Sequence, residues 1–163
     1  MIVPAITKKD EIQKLFSQQY YSEDMFYYVG GVDSFPLEVS NSTDNGRYEW
    51  AIMDDDRVIG YISYTIDWYS QGVYNFGLIS FDKGNPKVGV GIKEIIKLLH
   101  SYNIHRVEWK MICGNPVEKH YDFWCKRFNG RKIRLRDVTK DQYGEFRDSV
   151  IYEVLLNYKV NVY

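Results

Sequence analysis

The chain has 163 residues, which suits one domain with a sizeable core; two domains would each be short of apolar material. With 45% hydrophobic and 17% aromatic residues and only four prolines, global disorder is excluded. Lys and Arg number 21 against 22 Asp and Glu, so there is no long-range pull toward a polyanion and nucleic-acid binding is not expected.

Charge is uneven locally. "KRFNGRKIRLRD" (126–137) is basic and reads first as a solvated strand face, whereas "MDDDR" (53–57) reads as an acidic turn. Cys113 and Cys125 form neither a disulfide framework nor a clustered metal motif. No signal-peptide pattern opens the sequence and no apolar run approaches about 18 residues, so a cytoplasmic protein without membrane partners is expected.

In chain order, "IVPAI" reads as a short strand and "TKKDEIQKLFSQQYY" as a helix with Thr7 as N-cap. Ile12, Leu15, Phe16 and Gln19 or Tyr20 share its inner face. Residues 22–46 suggest a second short helix ending near Gly30 and Gly31, then an irregular, turn-rich wall. "RYEWAIM", "RVIGYISYTIDWY" and "GVYNFGLISF" are rich in β-branched and aromatic residues with short turns between them, which predicts an antiparallel meander.

Ile92, Ile95, Ile96 and Leu99 then mark a helical face, and Val107, Trp109 and Met111 alternate as in a strand. Strand, helix and strand in that order predict a parallel crossover. In "NPVEKHYDFWCKRFNG" Asn115 is placed to cap, Pro116 to take the first helical position and Glu118 the third. Val117, Tyr121, Trp124, Cys125 and Phe128 form one apolar stripe. "RKIRLRD" and "SVIYEVLL" complete the strands. The whole predicts a single α/β domain over 1–163: a mixed, mostly antiparallel sheet with a central parallel strand pair, flanked by helices.

"GNPKVGVGIKEII" places Gly89 and Gly91 where a helix is expected to begin. The first amides of a helix lack intrahelical acceptors, and glycines there let phosphate oxygens approach the backbone. The same glycines also serve a tight strand-to-helix turn. Neither a P-loop nor a dinucleotide fingerprint is present.

With a strand ending in this loop, an amphipathic helix after it, and a further strand ending at Asn115 before a second helix, the sequence resembles the GNAT acetyltransferase superfamily, most specifically over 73–130. That resemblance implies an acetyltransferase taking its acyl group from acetyl-coenzyme A and giving it to a primary amine of a small molecule or protein. Pro86 stands where the family usually has Gln or Arg. By the resemblance, Val88, Gly89, Val90, Gly91 and Ile92 contact the coenzyme A diphosphate. The backbone of Ile79 and Phe81 pairs with the pantetheine arm between splayed strands, with Leu78 to Phe81 and Trp109 to Cys113 at its borders. Asn115 faces the cofactor. Tyr121 supplies the leaving thiolate's proton, against a reading in which it only packs; Trp124 matches the same position counted from the other end of the helix but is no useful acid.

Direct transfer needs orientation and an oxyanion donor, not a protein nucleophile. Asp67, Asp82 and Glu108 are candidate bases, each also readable as a surface charge. His100, His105 and His120 lack zinc-helix spacing, and no metal is expected. "IDWYSQGVYNF" (66–76) is read as an acceptor pocket, with core or dimer-surface roles open. The C-terminal "NYKVNVY" is open between an added edge strand of a homodimer and a tail. A noncatalytic acyl-coenzyme A binding or protein-interaction module on the same scaffold is the alternative.

Overall fold

The computed structural model describes residues 1–20, 22, 25–28, 37–40, 46–141 and 143–156. The expected end of a second helix at Gly30 and Gly31, most of the turn before Gly46, and the C-terminal "NYKVNVY" lie outside these residues.

Seven strands form one sheet: β1 (Ile2–Pro4), β2 (Arg47–Asp54), β3 (Arg57–Asp67), β4 (Gly72–Ser80), β5 (Arg106–Ile112), β6 (Arg131–Lys140) and β7 (Phe146–Leu155), in the spatial order β1-β2-β3-β4-β5-β7-β6. Only β4 and β5 are parallel. Consecutive β2, β3 and β4 pair through short turns, as their alternation predicts. The β4–β5 step is the crossover, which needs a long connection and receives it as a helix.

The helices are α1 (Lys9–Gln19), α2 (Met25–Tyr28), α3 (Pro86–Ser101) and α4 (Glu118–Arg127). On one face of the sheet, Ile95 and Leu99 of α3 and Cys125 of α4 pack with Ile52, Ile62, Tyr64, Trp109 and Tyr152. On the other, Ile12 and Phe16 of α1 pack with Ala5, Leu37, Val39, Tyr61 and Ile79. Burying each such side chain stabilises the fold by roughly 1.5–3 kcal/mol. Among the described residues no helix is long and apolar enough to cross a membrane.

The structure moves the starts of α1 and α4. Thr7 does not cap α1: it lies in a 3-10 turn (Ala5–Lys8), and its hydroxyl donates to the Pro4 carbonyl at 2.8 Å. That turn carries Ala5 into full burial, and α1 begins only afterwards. At the other end of the chain regular α4 begins at Glu118, because Asn115–Val117 forms a turn in which the Asn115 side chain accepts from the Val117 amide at 3.1 Å. Glu118 reaches back to the Gly114 amide, a capping arrangement displaced by one residue from the expected one.

Candidate active site at the splayed strands

β4 and β5 pair only at Gly72–Arg106 and Val73–Val107. Just beyond, Tyr74–Gly77 oppose Ser63–Thr65 of β3, one residue more than the partner strand supplies, and Asn75 takes a left-handed conformation (φ 52°). Such a bulge bends its strand. From there to Ser80, β4 has no strand on its β5 side, and the gap opens toward the carboxyl ends of both strands.

Backbone parity decides what faces this gap. The Phe81 amide donates to the Ile59 carbonyl at 2.9 Å, so Phe81, and two residues earlier Ile79, turn their polar groups to β3. The expectation that Ile79 and Phe81 turn their backbone into the gap is therefore corrected: the backbone of Leu78 and Ser80 faces it. Opposite them, Cys113 bonds Asp148 of the β7 side, so Lys110 and Ile112 present their backbone to the gap. The Ser80 carbonyl already accepts from Gln19 Nε2 at 3.1 Å.

Gly89 and Gly91, expected from the sequence to precede their helix, lie within it. α3 begins at Pro86, with Asn85 as N-cap. The Lys87 amide bonds the Asn85 side chain at 2.9 Å and the Val88 amide bonds the Asn85 carbonyl at 3.1 Å. The amides of Val90, Gly91 and Ile92 face carbonyls one turn back, by the regular geometry of a helix. No fan of free amides spans Val88 to Ile92. Carboxylates surround the helix start instead: Asn85 Nδ2 donates to both Asp54 and Asp82 at 3.1 Å, Lys87 pairs with Asp54, and Arg57 pairs with Asp82 at 2.7 Å. The Lys87 ammonium and the Asn85 amide hold the Asp54 carboxyl below its usual range.

Tyr121 packs on the face of the sheet that α3 and α4 cover. Its ring meets Trp109 edge-on at 5.3 Å and Tyr152 at 5.8 Å. With Phe76, Ile92, Ile96 and Trp124, Trp109 and Tyr121 line an apolar cavity of about 40 Å³ between α3 and α4. Trp109 is 6% exposed and its Nε1–H has no acceptor among the described residues. Burial pushes the Tyr121 hydroxyl well above its ordinary pKa, so the proton stays on it at neutral pH. Asp122, next in α4, accepts from the Tyr152 hydroxyl at 2.7 Å and from Lys132 at 2.8 Å, anchoring the stack against which Tyr121 leans.

The candidate bases are occupied elsewhere. Asp67 closes its own turn by accepting from the Tyr69 amide and the Ser70 hydroxyl, Asp82 belongs to the α3 start, and Glu108 pairs with Arg106. The aromatic segment 66–76 spans the β3–β4 hairpin, at the end where β4 and β5 are still paired. Trp68 and Tyr69 are exposed there, away from the opening, whereas Phe76 at the other end of the segment lines the cavity beside it. On the α1 face, Gln19, whose Nε2 reaches Ser80, keeps its Oε1 buried without a partner among the described residues, and so does Ser22 its Oγ. Tyr27 of α2 reaches toward Gly114, beyond the end of β5. The sequence did carry a signal for Gln19: a polar residue on the otherwise apolar inner stripe of α1. The three histidines are exposed. Among the described residues no three His, Cys, Asp or Glu side chains gather as metal ligands would.

No family model matches the chain, and no curated protein matches it in sequence. Among solved structures it resembles an N-acetyltransferase from Staphylococcus aureus Mu50 (TM-score 0.72, 12% identity, 96% of this chain and 98% of that one). It also resembles an acetyltransferase of the GNAT family from Streptococcus pneumoniae (TM-score 0.67, 12% identity, 95% and 98%). The chain has the GNAT fold. A spermidine/spermine N-acetyltransferase from Vibrio cholerae is more distant (TM-score 0.56, 14% identity, 90% and 74%). Within the GNAT fold the mixed sheet, its parallel β4–β5 pair and its flanking helices are as the sequence predicts.

A coenzyme A thioester fits this chain at one end and not the other. The gap between β4 and β5 leaves unpaired backbone of the kind an amide-containing arm can bond. At the α3 start the amides are consumed and carboxylates take the place of an anion.

Proposed function

We propose that this protein is a cytoplasmic acyltransferase that passes an acetyl group from a coenzyme A thioester directly to a primary amine of a small molecule or protein. The β4–β5 gap, with the backbone of Leu78 and Ser80 turned into it, carries this reading. The thioester supplies an activated acyl carbon and a thiolate leaving group. Leu78 and Ser80 amides, fixed in place by the sheet, suit the oxygen on which charge develops, and preorganised donors of this kind cost no rearrangement at the moment of reaction. The acceptor amine enters from the α1–α2 side, where Gln19 Oε1 and Ser22 Oγ offer acceptors for its N–H groups.

Tyr121 acts as a hydrogen-bond donor to the departing sulfur. A thiol has a pKa near 8.5, so complete proton transfer from a phenol raised above 10 is uphill, and donation without transfer is what the buried hydroxyl can supply. With Asp67, Asp82 and Glu108 engaged elsewhere, water accepts the amine proton.

Calorimetry with acetyl-coenzyme A, followed by thiol release across an amine panel, tests the reading. Saturable, amine-dependent thiol release is expected; absence of binding by any acyl thioester would refute it. The engaged carboxylates and the tightly held Tyr121 proton favour one second reading, a noncatalytic acyl-coenzyme A binding or protein-interaction module. Tight thioester binding without turnover on the panel would select it.

A further inference from the structure

We infer that this chain recognises its acyl donor through the pantetheine arm alone, and that the adenosine diphosphate portion of coenzyme A contributes nothing to binding. The inference rests on the acyl-transfer reading and narrows its donor to the class of pantetheine thioesters, with or without a nucleotide attached.

Four observations at the start of α3 carry it. Pro86, the first helical residue, has no amide hydrogen to offer. The next two amides are spent on Asn85, and those beyond lie within the helix. Asp54 and Asp82 sit on either side of Asn85 Nδ2, so a diphosphate brought here meets two like charges. Lys87 and Arg57 are each paired with one of those carboxylates rather than with an incoming anion.

The glycines give no counter-argument. A Cβ on Gly91 would lie 2.8–3.0 Å from three atoms of the Ile52 side chain, so this glycine exists to let α3 approach β2. Gly89 faces open space, but its own amide lies inside the helix. The arm end is different: β4 from Tyr74 to Ser80 has an unpaired edge.

A site that seats a diphosphate on several charge-assisted hydrogen bonds prefers the nucleotide-bearing donor by on the order of 100-fold or more. Calorimetry on the full chain with acetyl-coenzyme A and with S-acetylpantetheine should instead give dissociation constants within about threefold, since no such bonds form. Adenosine 3′-phosphate 5′-diphosphate should fail to displace either. Asp54→Asn keeps the hydrogen bond to Asn85 and releases Lys87. It should tighten acetyl-coenzyme A about fivefold, the worth of one exposed ion pair, and leave S-acetylpantetheine unchanged, with the thermal melt confirming an intact fold. A preference above about 30-fold for acetyl-coenzyme A in the unmodified protein, a scale that requires diphosphate contacts, overturns the inference while leaving acyl transfer standing. Equal affinities that Asp54→Asn does not separate overturn Asp54 as the excluding group. Failure of both thioesters to bind sinks the acyl-transfer reading and this inference with it.

Discussion

Alanine at Gly91 and alanine at Gly89 should move stability in opposite directions. Both positions lie inside α3, so each substitution gains about 1 kcal/mol of helix propensity. At Gly89 nothing stands within 4 Å of the new Cβ, and that gain is kept. At Gly91 the Cβ lies 2.8, 2.9 and 3.0 Å from Cγ2, Cγ1 and Cδ1 of Ile52, a fully buried side chain on β2 with no room to retreat. Overpacking of this kind costs about 1–3 kcal/mol. Because the propensity gain is common to both variants, their difference isolates the packing cost, about 2 kcal/mol in the middle of that range. For a chain of this size the gap corresponds to roughly 4–8 °C in Tm, at about 2–4 °C per kcal/mol. Urea unfolding followed by circular dichroism measures it, provided the m-values agree. Combining Gly91→Ala with Ile52→Val should recover part of the loss, a coupling that a double-mutant cycle reports. Equal stability of the two single variants would refute the close α3–β2 approach.

Three further outcomes follow from other parts of the structure. Gly130→Ala would set a Cβ 2.3 Å from the Glu153 carbonyl oxygen and 2.8 Å from Val154 Cγ1, and should cost about 3 kcal/mol by thermal unfolding; a neutral result would contradict the tight passage of the α4–β6 loop over β7. Tyr121→Phe should lower turnover about tenfold or more while donor affinity holds, since the lost hydroxyl acts on the departing sulfur; unchanged turnover removes Tyr121 from the chemistry. Asp122 and Glu118 are held below the usual carboxylate range by Lys132, and Asp148 by the Asp137 amide and Arg134. Their stabilisation is complete above an unfolded pKa near about 4 and is lost as pH falls through the lower folded values. Tm should therefore stay level from about pH 7 to 5 and drop below about pH 4, and Asp148→Asn should flatten the drop.

The sequence by itself determined the element types and their buried faces. Ile12 and Phe16, Ile95 and Leu99, and Val107, Trp109 and Met111 each repeat with the period of their element, and all are buried. The true start of α3 was legible too, in Asn85 followed by Pro86, although the same pair at Asn115 and Pro116 forms a turn one step ahead of α4; Gly89 and Gly91 lie inside α3 rather than before it. Tertiary structure alone decided the rest. Gly91 owes its place to Ile52, a residue of another strand. Leu78 and Ser80 rather than Ile79 and Phe81 face the gap because one interstrand bond, Phe81 to Ile59, sets the parity of β4 beyond its bulge. The bulge at Asn75 depends on the register against β3, and the carboxylates at the α3 start come from the β2 end and the β4–α3 loop. Periodicity is a property of neighbouring residues and is written in the chain, whereas register and charge placement arise between segments that meet only after folding.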